Sequence, residues 1–304
     1  MKVAVTGSSG LIGTELVASL YAEGHQVIRL VRRSPQSADE VRWDPESADA
    51  GLSPAPEVLE GLGACVHLAG AGVVSRRWTA RYKAEIRASR VLGTRALAGA
   101  LAKLGSPPAT LLSASAIGWY GDTGDRLVDE SAPSGDAFLA RVVRDWEAAT
   151  GPAREAGVRV VNFRSGLVLS PAGGLLARLL PFARLGVCPR FGSGTQAMSW
   201  ISMSDEIRAI QFLMSRKDVT GPVNLTAPLP VTNSEFTAVL AAALHRPDLP
   251  WLRVPAPALR LALGEGSVEV LTSARVTPKR LLDAGFSFRY RTVAQALSGE
   301  LAAR

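Results

Sequence analysis

The chain has 304 residues, 34 Lys+Arg against 27 Asp+Glu, a formal net charge of +7 and 47% hydrophobic residues. That balance is too apolar for a disordered chain, and the length suits one large α/β domain or a core domain with a smaller companion. The two cysteines, Cys65 and Cys188, make neither a disulfide framework nor a metal box, and their apolar surroundings suit inert buried thiols.

The opening run Met1 to Gly7 is far too short for the apolar core of a signal peptide, and no window offers eighteen consecutive apolar residues. A cytoplasmic chain with no membrane-spanning helix is expected. The basic excess is nearly all arginine and is scattered, with doublets only at Arg32-Arg33 and Arg76-Arg77. Nucleic acid is therefore not an expected partner.

Lys2 to Thr6 reads as a buried strand. Leu11 to Glu23 reads as a helix with Ile12, Leu16, Val17 and Leu20 on one face, stopped by Gly24. Gln26 to Val31 is a second strand. Residues 34–63, rich in Pro, Asp and Ser, read as an irregular connection. Cys65 to Ala69 is the next apolar run, and Trp78 to Leu104 a long helix. Thr110 to Ser115 reads as a strand, Asp136 to Ala156 as a helix, and Val158 to Arg164 as a strand. Strands separated by single helices imply a Rossmann-type, doubly wound parallel sheet.

The pattern loosens after Ser170. Gly173-Gly174 and Gly192-Ser193-Gly194 flank an apolar segment. Thr232-Asn233-Ser234-Glu235 forms a capping box that opens a helix toward His245, and Thr292 to Gln295 repeats that signature before the last helix. The expected division is a dinucleotide-binding domain over 1–170, with later segments near 200–226 returning to it. Residues 171–304 would form a smaller α/β substrate or lid domain.

The strongest motif is Thr6-Gly7-Ser8-Ser9-Gly10-Leu11-Ile12-Gly13, which follows a strand and opens a helix. Gly7 permits the tight turn, Gly10 lets backbone approach a pyrophosphate, and Gly13 allows close helix–sheet packing. Free N–H groups at the helix start then face the phosphates. About twenty residues on, an NAD site usually carries Asp or Glu for the ribose 2′-hydroxyl. Here Val31-Arg32-Arg33 stands instead. A guanidinium attracts a 2′-phosphate, so NADP(H) is the expected cofactor. The other reading keeps both arginines as solvated loop residues.

These motifs carry a resemblance. TGSSGLIG, Val66-His67-Leu68-Ala69-Gly70 and Asp129-Glu130-Ser131-Ala132-Pro133 look like the extended short-chain dehydrogenase/reductases of the sugar-nucleotide epimerase group. SASAIGWYG at 113–121, the FLA…DWEAA helix at 138–149, FRSGLVLS at 163–170 and GSGTQAMSWI at 192–201 narrow it. The chain resembles the atypical branch called epimerase-family proteins, whose C-terminal segment is a domain of unknown function. The resemblance implies NADP(H) binding. Beyond the glycine loop (Thr6, Gly7, Ser9, Gly10, Leu11, Ile12 and Gly13), it puts cofactor contacts at Val31, Arg32, Leu68, Ala69, Glu85, Arg90 and Val168. Arg33 and Gly70 adjoin them. Leu68 and Ala69 would pass under the nicotinamide half.

The parent family uses a Tyr with a Lys four positions later, plus a Ser that steadies the substrate oxygen, so that the phenolate acts as general base. This chain departs from that pattern. Its tyrosines, Tyr21, Tyr82, Tyr120 and Tyr290, are followed at the fourth position by His25, Ile86, Gly124 and Ala294. The helix that should carry the pair begins Phe138-Leu139-Ala140-Arg141-Val142. Ser115 matches the family serine, and Tyr120 is placed to supply a phenol from the neighbouring loop or to pack on the pocket wall. Trp119, Arg164 and Trp200 suit a ring or a phosphate-bearing substrate, and suit equally a structural core. No histidine recurs at metal-ligand spacing, so no metal is expected.

Two functions stay open on this reading. One is an NADP(H)-dependent epimerase or reductase of a small, possibly nucleotide-linked substrate. The other is a non-catalytic NADP(H)-binding or sensing module that has lost the Tyr-Lys pair. Either form suits a monomer or a homodimer.

Overall fold

The computed structural model describes residues 1–45, 56–73 and 76–302. In chain order come β1 (Lys2–Thr6), α1 (Leu11–Ala22), β2 (Gln26–Val31), β3 (Glu40–Arg42), α2 (Pro56–Leu59) and β4 (Ala64–His67). Next are α3 (Ala80–Ala102), β5 (Thr110–Ala116), α4 (Phe138–Ala148), α5 (Gly151–Glu155), β6 (Arg159–Ser165), β7 (Leu167–Leu169) and α6 (Gly174–Arg184). Then β8 (Arg190–Phe191), β9 (Ala197–Met198), β10 (Trp200–Ser202), α7 (Met203–Ser215) and β11 (Gly221–Leu225) follow. The chain closes with β12 (Val231–Thr232), α8 (Asn233–Ala243), β13 (Arg253–Val254), α9 (Ala256–Leu263), α10 (Val268–Leu271), α11 (Lys279–Asp283) and α12 (Val293–Ala302).

Seven strands form one sheet in the order β11-β6-β5-β4-β1-β2-β3, every pairing parallel. The strand order reverses between β1 and β4, the place where ligands of open α/β sheets bind. This is the expected doubly wound sheet. Alternation along the strands decides what each face buries. Val3, Val5, Val66, Leu112, Val161 and Phe163 pack with Leu16 and Leu20 of α1 and Ile207 and Ile210 of α7. Ala4, Cys65, Leu111 and Val160 pack with Leu97 and Leu101 of α3 and Ala153 of α5. A separate core joins Leu176 and Leu180 of α6, Trp200, Phe236 and Leu240 of α8, and Leu297 of α12.

Local chemistry accounts for the departures from the sequence reading. The segment 34–63 is not wholly irregular, since β3 adds an edge strand; its residues 46–55 lie outside those described. β3 begins on a buried carboxylate, Glu40, which a bidentate bond from Arg33 and a contact from Arg29 compensate. The single helix expected over 136–156 is two, because Pro152 sits in the first turn of α5 and cannot continue α4. The capping box at Thr232 forms as read. Thr232 Oγ1 accepts from Glu235 N at 3.1 Å, and Thr232 N donates to Glu235 Oε2 at 2.6 Å. No helix among the described residues is long and apolar enough to cross a membrane.

Candidate functional site

The β1–α1 loop is shaped by glycine. Gly7 has φ +65°, and a Cβ there would meet the Leu68 carbonyl carbon at 2.8 Å. A Cβ on Gly13 would lie 2.1 Å from Gly7 O, so the third glycine serves turn-to-helix contact rather than the helix–sheet packing expected of it. Gly10 caps α1 with no side-chain bond, and no acidic residue stands in the first turn. The first helical bond runs from Thr14 N to Gly10 O, leaving the N–H groups of Leu11, Ile12 and Gly13 directed out of the helix end. Ser9 is exposed, and Leu11 packs against Gly173.

At the end of β2, Val31 is buried while Arg32 and Arg33 are exposed. The two arginines differ. Arg33 clamps Glu40 at 2.7 and 2.6 Å and is committed to the sheet edge. Among the described residues Arg32 makes no such clamp. Across the switch point, Leu68 and Ala69 are half-buried and Gly70 is exposed. On α3, Glu85 is exposed and unrelated to Arg90. Arg90 instead donates to Ala71 O at 2.9 Å and lies 5.0 Å from the Trp146 ring centroid. Burial lowers its pKa to about 10, with Tyr82 and Glu269 pulling the other way. Val168 is half-buried in β7.

Beneath the C-terminal edge a row of polar side chains crosses five strands. The register pairs Thr6 with His67, His67 with Ser113, Ser115 with Arg164, and Arg164 with Asn224. Thr6 Oγ1 lies 2.7 Å from His67 Nδ1 and accepts from the N–H groups of Leu68 and Ala69. With both lone pairs used, its O–H must donate to Nδ1, which puts the imidazole proton on Nε2, 2.9 Å from Thr94 Oγ1. Trp146 Nε1 donates to the same Thr94 oxygen. Burial lowers the His67 pKa to about 4, so this link between the end of β1 and α4 is neutral. Thr6 thus positions the β4 loop, and its hydroxyl is not free for a cofactor.

Further along the row, Glu147 of α4 gathers the residues read as catalytic or substrate-binding. Ser115 Oγ donates to Glu147 Oε1 at 2.6 Å. Arg164 donates to both Glu147 oxygens, at 2.7 and 2.9 Å, and to Tyr120 Oη at 3.1 Å. Tyr120 Oη donates to Asn224 Oδ1 at 2.8 Å, and the Arg164 guanidinium lies 3.9 Å from the Trp119 ring centroid. Burial raises the Tyr120 pKa, with Arg164 opposing. Arg164 is 1% exposed and Trp200 0%, its indole N–H held by Leu229 O.

A cleft of about 260 Å³ opens between this edge and the C-terminal elements. Its walls include Leu139, Val143 and Trp146 of α4, Leu175, and Met198. Its polar lining includes Arg90, Ser165, Ser199, Asn233 and Glu269. None of Ser115, Tyr120, Trp119, Arg164 and Trp200 lines it. Of the two readings given for each, the bonds made by Arg164, Trp200 and Tyr120 agree with the structural one. Their polar atoms are already partnered in the interior. The α4 face where a Tyr-Lys pair would project is apolar, through Leu139 and Val143 one turn apart. A larger recess of about 440 Å³ lies beside Met1 and His25 at the opposite, N-terminal edge, away from where α/β ligands bind.

Sequence reasoning missed Glu147, Asn224 and the Thr94–Trp146 link. Glu147 carried a signal, because it continues the apolar stripe Leu139–Val143 at helical spacing, where a charge requires a buried partner.

The model of the NAD dependent epimerase/dehydratase family matches residues 3–225. The chain belongs to that family. Residues 254–299 of this epimerase/dehydratase-family chain match a domain of unknown function, as its resemblance to the epimerase-family branch implied. It is 47% identical to an epimerase family protein of Mycobacterium bovis over 97% of this chain and 96% of that one. Human epimerase family protein SDR39U1 (isoform 2), solved with NADPH, is 31% identical with a TM-score of 0.91 and full coverage of both chains. A nucleoside-diphosphate sugar epimerase from Corynebacterium glutamicum is 37% identical with a TM-score of 0.80, over 99% of this chain and 58% of that one.

Proposed function

We propose that the protein is an NADP(H)-dependent reductase of a small, largely apolar carbonyl compound. The reading rests on one observation above all. The cleft at the C-terminal edge of the sheet is walled mainly by apolar residues of α4 and the C-terminal part, with Arg90, Ser165, Ser199, Asn233 and Glu269 among its polar groups. Its volume of about 260 Å³ is below the roughly 300–1,000 Å³ of drug-sized pockets, which suits a small carbonyl better than a whole nucleotide sugar.

The loop fits a dinucleotide. Gly7 and Gly13 leave no room for a Cβ, which keeps the turn tight against the start of α1, where the N–H groups of Leu11, Ile12 and Gly13 have no helical partner. Those groups would hold the pyrophosphate, and Arg32 the 2′-phosphate that distinguishes NADP(H). Leu68, Ala69 and Gly70 would carry the dinucleotide past β4, with Arg90 and Val168 beyond. When bound, the reduced dinucleotide supplies hydride to a carbonyl carbon. The protein's part is to orient the carbonyl in the cleft, exclude water with the α4 face and supply the proton. Residues 1–170, with about 200–226, would hold the cofactor, and the remainder of 171–304 would close over the substrate.

One observation favours the second reading, a non-catalytic NADP(H)-binding module: the hydroxyls of Ser115 and Tyr120 are spent on Glu147 and Asn224. Following NADPH absorbance against benzaldehyde, acetophenone and diacetyl separates the two. Turnover with any of them supports the reductase. Tight NADPH binding without turnover on the panel supports the binding module.

A further inference from the structure

The cleft lacks the Tyr-Lys pair, yet a carbonyl reduced there needs a proton on its oxygen. We propose that Ser165 and Glu206 deliver it. Ser165 is the catalytic hydroxyl, and Glu206 is the buried acid that re-supplies it. The proposal rests on the reductase reading above.

Ser165 ends β6 and lines the cleft. Its Oγ lies 2.5 Å from Oε1 of Glu206, which stands in the first turn of α7 on the opposite face of the sheet from Glu147. Glu206 is 0% exposed, and its Oε2 is buried without a hydrogen-bond partner among the described residues. A carboxylate with one oxygen bare at that depth is costly, whereas a neutral carboxyl is far less so. Burial accordingly raises the Glu206 pKa to about 8, against the opposing pull of the Ser165 bond. The adjacent Asp205 is turned elsewhere, accepting from Arg208 and from the N–H groups of Arg289 and Tyr290. The acid is therefore protonated at neutral pH and one hydroxyl away from the cleft. The start of α7 steadies the carboxylate once its proton has gone.

The step balances. With NADP(H) bound, a hydride would bring both electrons to the carbonyl carbon as the C=O π bond breaks, and the dinucleotide would be left oxidised. The oxygen takes the Ser165 Oγ proton as Ser165 Oγ takes the carboxyl proton of Glu206. The product is an alcohol, and Glu206 is left as a carboxylate that now accepts from the Ser165 hydroxyl, the direction of their bond having reversed. Water re-protonates it once the product has left.

The test combines turnover with a readout that needs no cofactor. With NADPH and the carbonyl probes above, Glu206→Gln and Ser165→Ala each lower kcat by about 10²-fold or more while leaving the NADPH Kd unchanged. Ser165→Thr, which keeps the hydroxyl, recovers part of the loss. Infrared difference spectra of the unliganded protein at neutral pH, wild type minus Glu206→Gln, show a protonated-carboxyl stretch that shifts in Ser165→Ala; Glu269, whose pKa burial raises to about 7, contributes equally to both and cancels. Absence of that band in the wild type, or wild-type turnover by both variants, overturns the proposal and leaves the reductase reading standing. No turnover by the wild-type protein overturns the reductase reading, and with it the need for a proton donor.

Discussion

Replacing Arg164 by Met separates a structural arginine from a substrate arginine. The thioether keeps most of the stem but removes the guanidinium. Two bonds to Glu147, at 2.7 and 2.9 Å, are lost, together with one to Tyr120 at 3.1 Å and the stacking 3.9 Å from the Trp119 ring. Glu147, with a side chain 11% exposed, is left with Ser115 as its donor in this network. Removing one partner of a buried pair costs about 3–5 kcal/mol because the other charge stays uncompensated. An unfolding entropy of about 2.1 cal/mol/K per residue comes to roughly 0.6 kcal/mol/K for a chain this long, so Tm should fall by about 5–8 °C. Exchanging both partners for apolar residues, Arg164→Met with Glu147→Leu, should recover most of that loss. Differential scanning calorimetry reads Tm, and titration reads NADPH affinity alongside. An unchanged Tm with impaired NADPH or substrate binding would return Arg164 to the site and refute the reasoning.

Three further outcomes are expected. Gly13→Ala, whose Cβ would lie 2.1 Å from Gly7 O, should abolish detectable NADPH binding by fluorescence titration while circular dichroism shows the fold retained. His245 follows the end of α8 with φ +54°, a conformation that costs an L-residue roughly 1–2 kcal/mol, so His245→Gly should raise stability by about 1 kcal/mol in urea melts. Glu206 and His67 set opposite pH trends. A carboxyl raised to about 8 gives stability that is complete below the ordinary carboxyl range and is lost as pH rises toward that value, at about 1.4 kcal/mol per pH unit. His67, lowered to about 4 from 6.5, contributes fully above 6.5 and loses its contribution as pH falls. Between about pH 6.5 and 8 the wild-type Tm should therefore fall more steeply than that of Glu206→Gln, and parallel curves would refute the assignment.

The sheet was legible because its strands are short apolar runs separated by helices of clear period, and the tight β1–α1 turn because glycines there answer to backbone contacts fixed by local geometry. The exposed place of Arg32 was legible for the same reason, as it follows from the end of β2. The apolar face of α4 could be foreseen from the missing YxxxK, since Leu139 and Val143 are four residues apart. Distant partners were not legible. Whether Arg33 faces a ligand or Glu40 depends on an edge strand of three residues. Whether Arg164 meets a substrate or Glu147 depends on how α4 lies across β5 and β6. Tyr120 meets Asn224 across 104 residues, and Ser165 meets Glu206 across 41. Pairings of that kind are products of topology, and periodicity carries no record of them.

The central claim is that the glycine loop and Arg32 together select NADP(H). Dissociation constants for NADPH and NADH, measured by calorimetric titration on the wild type and on Arg32→Ala, test it most directly. The account predicts tighter NADPH binding by the wild type. It also predicts a loss in Arg32→Ala of about 1.5–3 kcal/mol for NADPH, roughly 10- to 150-fold, with NADH nearly unchanged. Equal affinity of the wild type for the two cofactors, or equal loss of both in the variant, would contradict it.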